Sequence, residues 1–200
     1  MKKAIILALI GALVAPAVVQ AHFKPAAQNE FAGPAAVTQA LAKAFSRADI
    51  KALQNCLAPD FTFYFNELDV ATVVARADTE PAYNVPPKWT YQEFILAVGE
   101  MLTSVDFVVL SFQADKLTPT ADATTFEAKE VPVRLSVMFD TTHGADLTNV
   151  TADLAFENAA APGAPAAWRL KSWRDNSHGA GGAEMGYKPA SIGQLFAAYH

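Results

Sequence analysis

A single cysteine, Cys56, occurs among the 200 residues, so no disulfide can form within the chain and its core alone must hold the fold. At a helical, apolar position Cys56 reads as buried packing rather than a nucleophile. Basic residues are few and scattered, with 15 Lys and Arg against 20 Asp and Glu for a formal charge of −5. Without a basic cluster, phosphate-backbone binding has no electrostatic source, so nucleic acid is not an expected partner and anionic membrane surfaces are disfavoured. Metal-ligand spacings of the HxH, HExxH or CxxC kind are missing, and neither a metal nor a cofactor is expected. Charged residues make up only 18% of the chain and hydrophobic residues 52%, with 40 alanines in that apolar share. The balance is that of a globular protein, and the length suits one domain with a substantial core.

What is present begins with a targeting pattern. Lys2 and Lys3 precede an apolar run from Ala4 to Val19, and the small residues Val19 and Ala21 flank Gln20, the layout of a secretory signal peptide over 1–21 with cleavage after Ala21. The uncharged stretch between Lys3 and His22 has 18 residues, the lower limit for a span, and contains Gly11 and Pro16, which favours export over anchoring. A periplasmic or secreted protein is expected, free of the membrane after cleavage. Losing two lysines with the signal brings the formal charge to −7.

Residues 22–33 show no periodicity and read as a flexible leader, with the folded domain over 34–177 and a Gly-rich linker and short helix over 178–200. Val37, Leu41, Ala44 and Phe45 lie on one helical face behind Pro34. Asp49 caps a second helix with Ile50, Leu53 and Leu57 as its stripe and Pro59 as its stop. The alternation Phe61, Phe63, Phe65 predicts a strand, and Val70–Ala77 a weaker one before a proline-marked loop. Thr90 and Glu93 form a capping box, with Trp89 and Phe94 placed as its hydrophobic staple, so a third helix is predicted from about Tyr91 to Leu102. Three β-rich blocks follow at Phe107–Gln113, Thr125–Asp140 and Leu147–Glu157. A last strand covers Trp168–Arg174, with Trp168 and Leu170 on one face and Trp173 on the other. Ser191 and Gln194 can cap a tail helix carrying Ile192, Leu195, Phe196 and Tyr199, a stripe that has to dock on the sheet face, near a pocket mouth or on a partner.

This order of elements describes an α+β fold in which a curved antiparallel sheet wraps around the N-terminal helices, a cystatin-like cone with a short C-terminal helix. Two stretches carry a resemblance to a family: AFSRADIKALQNCLAPDFTFYF from Ala44 to Phe65 resembles the opening, and AWRLKSWRDNS from Ala167 to Ser177 the final strand, of the nuclear transport factor 2-like superfamily. Polyketide cyclase-like and ketosteroid isomerase-like proteins belong to that superfamily, and the resemblance covers about Val37 to Ser177. It implies an apolar cavity inside the cone, lined by Leu41, Phe63, Phe65, Phe94, Leu154 and Trp173, for a small hydrophobic ligand, and pairing of sheets into a homodimer.

The isomerase acid and base, carried over by offset, fall at Leu41, Phe65 and Ala152, and their neighbours of like parity are Phe63 and Leu154. None titrates, so enolisation of that type is not expected. Two readings remain: a binding module with an apolar pocket, or a small lyase, isomerase or hydrolase using Asp60, Tyr64 or Asp106 with a water. Asp140 and His143, followed by Gly144, read as a hairpin loop, and Asp175 with His178 marks the end of the sheet. The sequon Asn149–Thr151 falls inside a predicted strand and is discounted.

Overall fold

The computed structural model describes residues 31–74, 83–120, 123–161, 163–177 and 189–200, with the backbone of 181–182. The expected signal peptide at 1–21, most of the expected leader at 22–33 and His178 lie outside the described residues. Two helices, α1 (Pro34–Ser46) and α2 (Ile50–Cys56), open the domain. Pro34 occupies the first turn of α1, where its missing N–H costs nothing. Asp49 caps α2 by accepting the Ala52 amide at 2.9 Å.

The helix ends before the proline predicted to stop it. Strand β1 (Leu57–Tyr64) starts at once, and Pro59 lies inside it. The ladder between β1 and its parallel neighbour is irregular between Leu57 and Thr62, and that gap accommodates a residue with no amide hydrogen.

Short strands β2 (Val73–Val74) and β3 (Tyr83–Asn84) pair with each other, and β4 (Lys88–Thr90) leads directly into α3 (Tyr91–Ser104). Of the predicted strand at Val70–Ala77 only Val73–Val74 is a strand among the described residues. The capping box of α3 is complete: the Glu93 amide donates to Thr90 Oγ1 at 3.4 Å and the Thr90 amide to Glu93 Oε2 at 2.8 Å. The Thr90 amide and hydroxyl hold the Glu93 carboxyl below its usual range. Trp89 and Phe94 both pack on Phe63, with ring centroids at 6.1 and 5.4 Å, so the staple closes through a third ring. Thr90→Ala should lower stability by about 0.5 to 2 kcal/mol in urea denaturation. No loss would mean that the box contributes nothing to starting α3.

Four strands complete the sheet, β5 (Phe107–Phe112), β6 (Thr125–Met138), β7 (Gly144–Asn158) and β8 (Trp168–Asp175), joined by β9 (Gly181–Gly182), which pairs with β7, and followed by α4 (Ile192–Ala197). The order is β4-β1-β8-β7-β6-β5. All these pairings are antiparallel except β1 with β8, which is parallel, so the sheet is mixed rather than wholly antiparallel. Bulges at Ala128/Val131 and Val133/Leu135 bend the long β6–β7 ribbon. The first places Glu130 at φ 49, where its amide donates to Asp153 Oδ1 at 2.9 Å. The helices pack on the concave side: α1 on β5 and β8, α3 on β1 and β4, and α4 against α3.

A further bulge changes which residues face inward. Ala155 pairs with Ser172 but Phe156 with Leu170, so Lys171 is an extra residue in β8. Strict alternation would send Trp173 away from Trp168 and Leu170, yet all three are buried. The same shift turns Asp175 inward. Phe31 is held before Pro34: its carbonyl accepts the Trp168 amide at 2.9 Å, and the Arg169 guanidinium lies 4.0 Å over its ring.

Candidate functional site

The sheet registers bring the expected pocket residues into one row. Trp89 pairs with Phe63 across β4–β1, Phe63 with Trp173 across β1–β8, Trp173 with Leu154 across β8–β7, and Leu154 with Ala128 across β7–β6. Because partners in register share a face, five strands present this row to the helices. Phe94 from α3 stacks on Phe63 at 5.4 Å, Phe65 meets Phe63 edge-on at 5.1 Å, and Leu41 of α1 belongs to the same buried cluster. Leu41, Phe63, Phe65, Phe94, Leu154 and Trp173 are therefore gathered inside the cone, each at 0 or 1% exposure.

That interior is occupied by the chain itself. Phe196 of α4 lies 5.8 Å from Phe63, 5.8 Å from Phe94, 6.1 Å from Trp173 and 6.2 Å from Phe45. The tail helix docks, as its stripe requires, but within the cone rather than on the outer sheet face. Beyond it, His200 stacks on Trp89 at 5.1 Å and on Tyr83 at 4.4 Å, and the Trp89 indole N–H donates to the Tyr83 hydroxyl at 2.9 Å.

Polar groups hold the start of this helix. Gly193 donates its amide to Asp175 Oδ2 at 2.7 Å, and Ile192 donates to Ser177 Oγ at 2.9 Å. Asp175 Oδ1 accepts the Ser177 amide at 2.9 Å and also the Ser177 hydroxyl. Gln194 Nε2 donates to Asp69 Oδ1 at 2.9 Å, and Ser191 Oγ caps the helix by accepting the Gln194 amide at 2.9 Å. Gln194 Oε1 reaches the Ala190 amide at 3.0 Å, so the box closes one residue earlier than its pattern suggests. Burial pushes the Asp175 carboxyl up to about 6, against three stabilising donors and with the nearby Asp69 charge adding to the rise. Asp69 and Asp175 are fully buried, and neither was among the expected site residues.

Trp173 supplies a further polar atom of the interior. Its Nε1 is buried and has no hydrogen-bond partner among the described residues, although the ring is enclosed by Phe63, Phe94, Phe112 and Phe196. An indole N–H left without an acceptor is costly, and buried ones normally have a partner.

The remaining candidates lie outside. Asp60 is exposed and paired with Lys171 at 3.0 Å, Tyr64 carries the Arg174 guanidinium 4.5 Å over its ring, and Asp106 is exposed. None reaches the interior, so the acid–base reading built on them has no pocket around it. Asp140 accepts the Thr142 and His143 amides and lies 2.7 Å from His143 Nδ1, the closed hairpin loop that its spacing suggests. Leu41, Phe65 and Ala152, the positions matching the isomerase groups, are buried and apolar, but Ala152 pairs directly with Asp175. Cys56 is buried, its thiol donating to the Ala52 carbonyl at 3.3 Å. A separate cleft of about 240 Å³ lies between α1 and α2, lined by Phe31, Lys43, Arg47 and Asn55 among others. Among the described residues, no group of three or more His, Cys, Asp or Glu could hold a metal ion.

The helices enclosed by a bent sheet in the order β4-β1-β8-β7-β6-β5 define an α+β cone, the architecture that the resemblance to the nuclear transport factor 2-like superfamily implies. No protein-family model and no curated protein matches the chain. Similar solved structures include a protein of the nuclear transport factor 2-like family from Streptomyces avermitilis, at 11% identity and TM-score 0.44 over 70% of this chain and 88% of that one. Another is a ketosteroid isomerase-like protein from Erwinia carotovora, at 15% identity and TM-score 0.45 over 75% of this chain and 98% of that one. A conserved protein from Planctomyces limnophilus matches at 12% identity and TM-score 0.44, over 69% and 88% of the two chains.

Proposed function

We propose that the protein is an exported small-molecule-binding protein whose site is the aromatic interior of the cone. The observation that carries this reading is the buried Trp173 N–H, a fixed donor among apolar rings with no acceptor among the described residues. A few polar groups within an apolar enclosure are what orient a small ligand. A pocket enzyme is the second reading, favoured by one feature: Asp175 is a buried carboxyl whose pKa is raised toward neutrality. Its oxygens already accept from Ser177 and Gly193, the bonding of a structural cap, so binding is preferred.

Export is the more general half of the proposal. Mature protein from the native host should begin at His22, and N-terminal sequencing that finds Met1 retained in a membrane fraction would overturn it. For the site, the purified protein should leave β,γ-unsaturated ketosteroids unisomerised. Turnover that disappears in Asp175→Asn would replace the binding reading with the enzymatic one.

A further inference from the structure

We infer that helix α4 is a displaceable internal occupant of this site, with Phe196 holding the place of a neutral, flat aromatic ligand that carries a carbonyl or ether acceptor for the Trp173 N–H. The inference rests on the proposed binding function and adds what fills the site, what the ligand is and how it gains access.

The walls are complete without the helix. Phe45 comes from α1, Phe63 from β1, Phe94 from α3 and Trp173 from β8, and Phe63, Phe94 and Trp173 already contact one another at 5.4 to 6.4 Å. Phe196 enters as a further ring from a separate segment. It satisfies their apolar faces but brings no oxygen or nitrogen acceptor to the indole N–H. An aromatic ketone of similar thickness would supply both the rings and the acceptor.

The helix is also suited to leaving. Six residues are too few to be helical alone, so α4 is helical only while docked, which makes docked and released the two natural states. Its polar contacts to Asp175, Ser177 and Asp69 are single hydrogen bonds. The closest approach is at Gly193, where a Cβ would come within 2.7 Å of Phe65 Cδ1 and 3.2 Å of Asp175 Oδ2. Phe65 is locked edge-on against Trp89 at 4.7 Å and cannot easily retreat. A methyl group at 193 therefore opposes docking, and its nearest neighbours are Phe65 and Asp175 rather than the Phe63, Phe94 and Trp173 rings that surround Phe196. Since apparent affinity is the intrinsic affinity scaled by the released fraction, any variant that favours release tightens binding by the same factor.

The test uses the full-length protein and 6-propionyl-2-(dimethylamino)naphthalene, a neutral naphthyl ketone whose emission reports hydrogen bonding to its carbonyl. Gly193→Ala should bind it at least about tenfold more tightly than the wild type while keeping native near-ultraviolet circular dichroism. Adding Trp173→Phe to that variant should weaken binding about tenfold and shift the emission to the blue. In the wild type, saturating probe should speed hydrogen exchange of the Ile192–Ala197 amides about tenfold or more and leave the Phe94–Leu102 amides unchanged. If Gly193→Ala does not fold, Gln194→Ala, which removes the bond to Asp69 without adding bulk, should give the same ordering by a smaller factor. Equal affinity in the wild type and the folded variants, with the Ile192–Ala197 amides still protected under bound probe, overturns the displaceable helix while leaving a binding function. No binding to any of these folded proteins overturns both.

Discussion

Phe196→Ala should lower the stability of the protein by about 3 to 5 kcal/mol, the cost of deleting a fully buried phenyl ring from a close-packed core. Phe196 is 0% exposed and touches four other rings, so removing it leaves a void that walls drawn from four different elements cannot all follow inward. The loss should also spread, because α4 has no independent helical stability and Phe196 is its central anchor. Urea denaturation measures the effect, with Tyr199→Ala as a control at a half-buried position of the same tail. A loss under about 1 kcal/mol would mean that the rings repack without α4 and that the helix is not part of the core.

The second large effect is on pH dependence. Asp175 has its carboxyl raised by burial to about 6 from an ordinary value of 3.8, so the folded protein binds that proton more tightly than the unfolded chain does. Its contribution to stability is thus full below pH 3.8 and is lost as pH rises through 6. At about 1.4 kcal/mol per pH unit over that window, the loss is about 3 kcal/mol. Asp140, Asp146 and Asp153 are shifted downward, so their contributions are present above the usual carboxylate range and are lost only as pH falls below it, outside the window in which Asp175 acts. The clean measurement is the difference between Asp175→Asn and wild type: the variant should gain on the wild type by about 2 kcal/mol from pH 4 to pH 8. A flat difference would show that the Ser177 and Gly193 donors hold the carboxylate fully ionised in the fold.

Much of the architecture was legible because it rests on local chemistry. Thr90 and Glu93 announce α3 through a bond that four residues can make by themselves, and the alternation Val131, Val133, Leu135, Val137 marks β6 by period alone. Four features were not legible, and each depends on partners distant in sequence. Pro59 looks like a helix stop until the parallel pairing with β8 shows a gap in the ladder there. The extra residue Lys171 leaves no mark in β8 and is visible only against β7, yet it decides that Trp173 and Asp175 face inward. Asp175 was read only as the end of the sheet, because the sequence gives no sign that its carboxyl would be buried against the amides of a helix 18 residues further on. Asp69 had no pattern around it, and its partner Gln194 lies 125 residues away in the chain. The tail stripe demanded a surface, but nothing in Ile192, Leu195 and Phe196 distinguishes the inside of the cone from its outside.

The parallel seam between β1 and β8 also sets an order of assembly. Leu57–Tyr64 can form its antiparallel ladder with Lys88–Thr90 early, but its other edge has no partner until Trp168–Asp175 arrives, more than a hundred residues later. A chain emerging N-terminus first, from a ribosome or through a membrane pore, therefore carries an aromatic strand with one open edge for most of its passage. Closure of the sheet must wait for Trp168–Asp175, and insertion of Phe196 for the residues that follow it. Slowing the chain before Trp168 should expose Phe61 and Phe63 to strangers, so that yield depends on how fast the last quarter of the sequence is delivered.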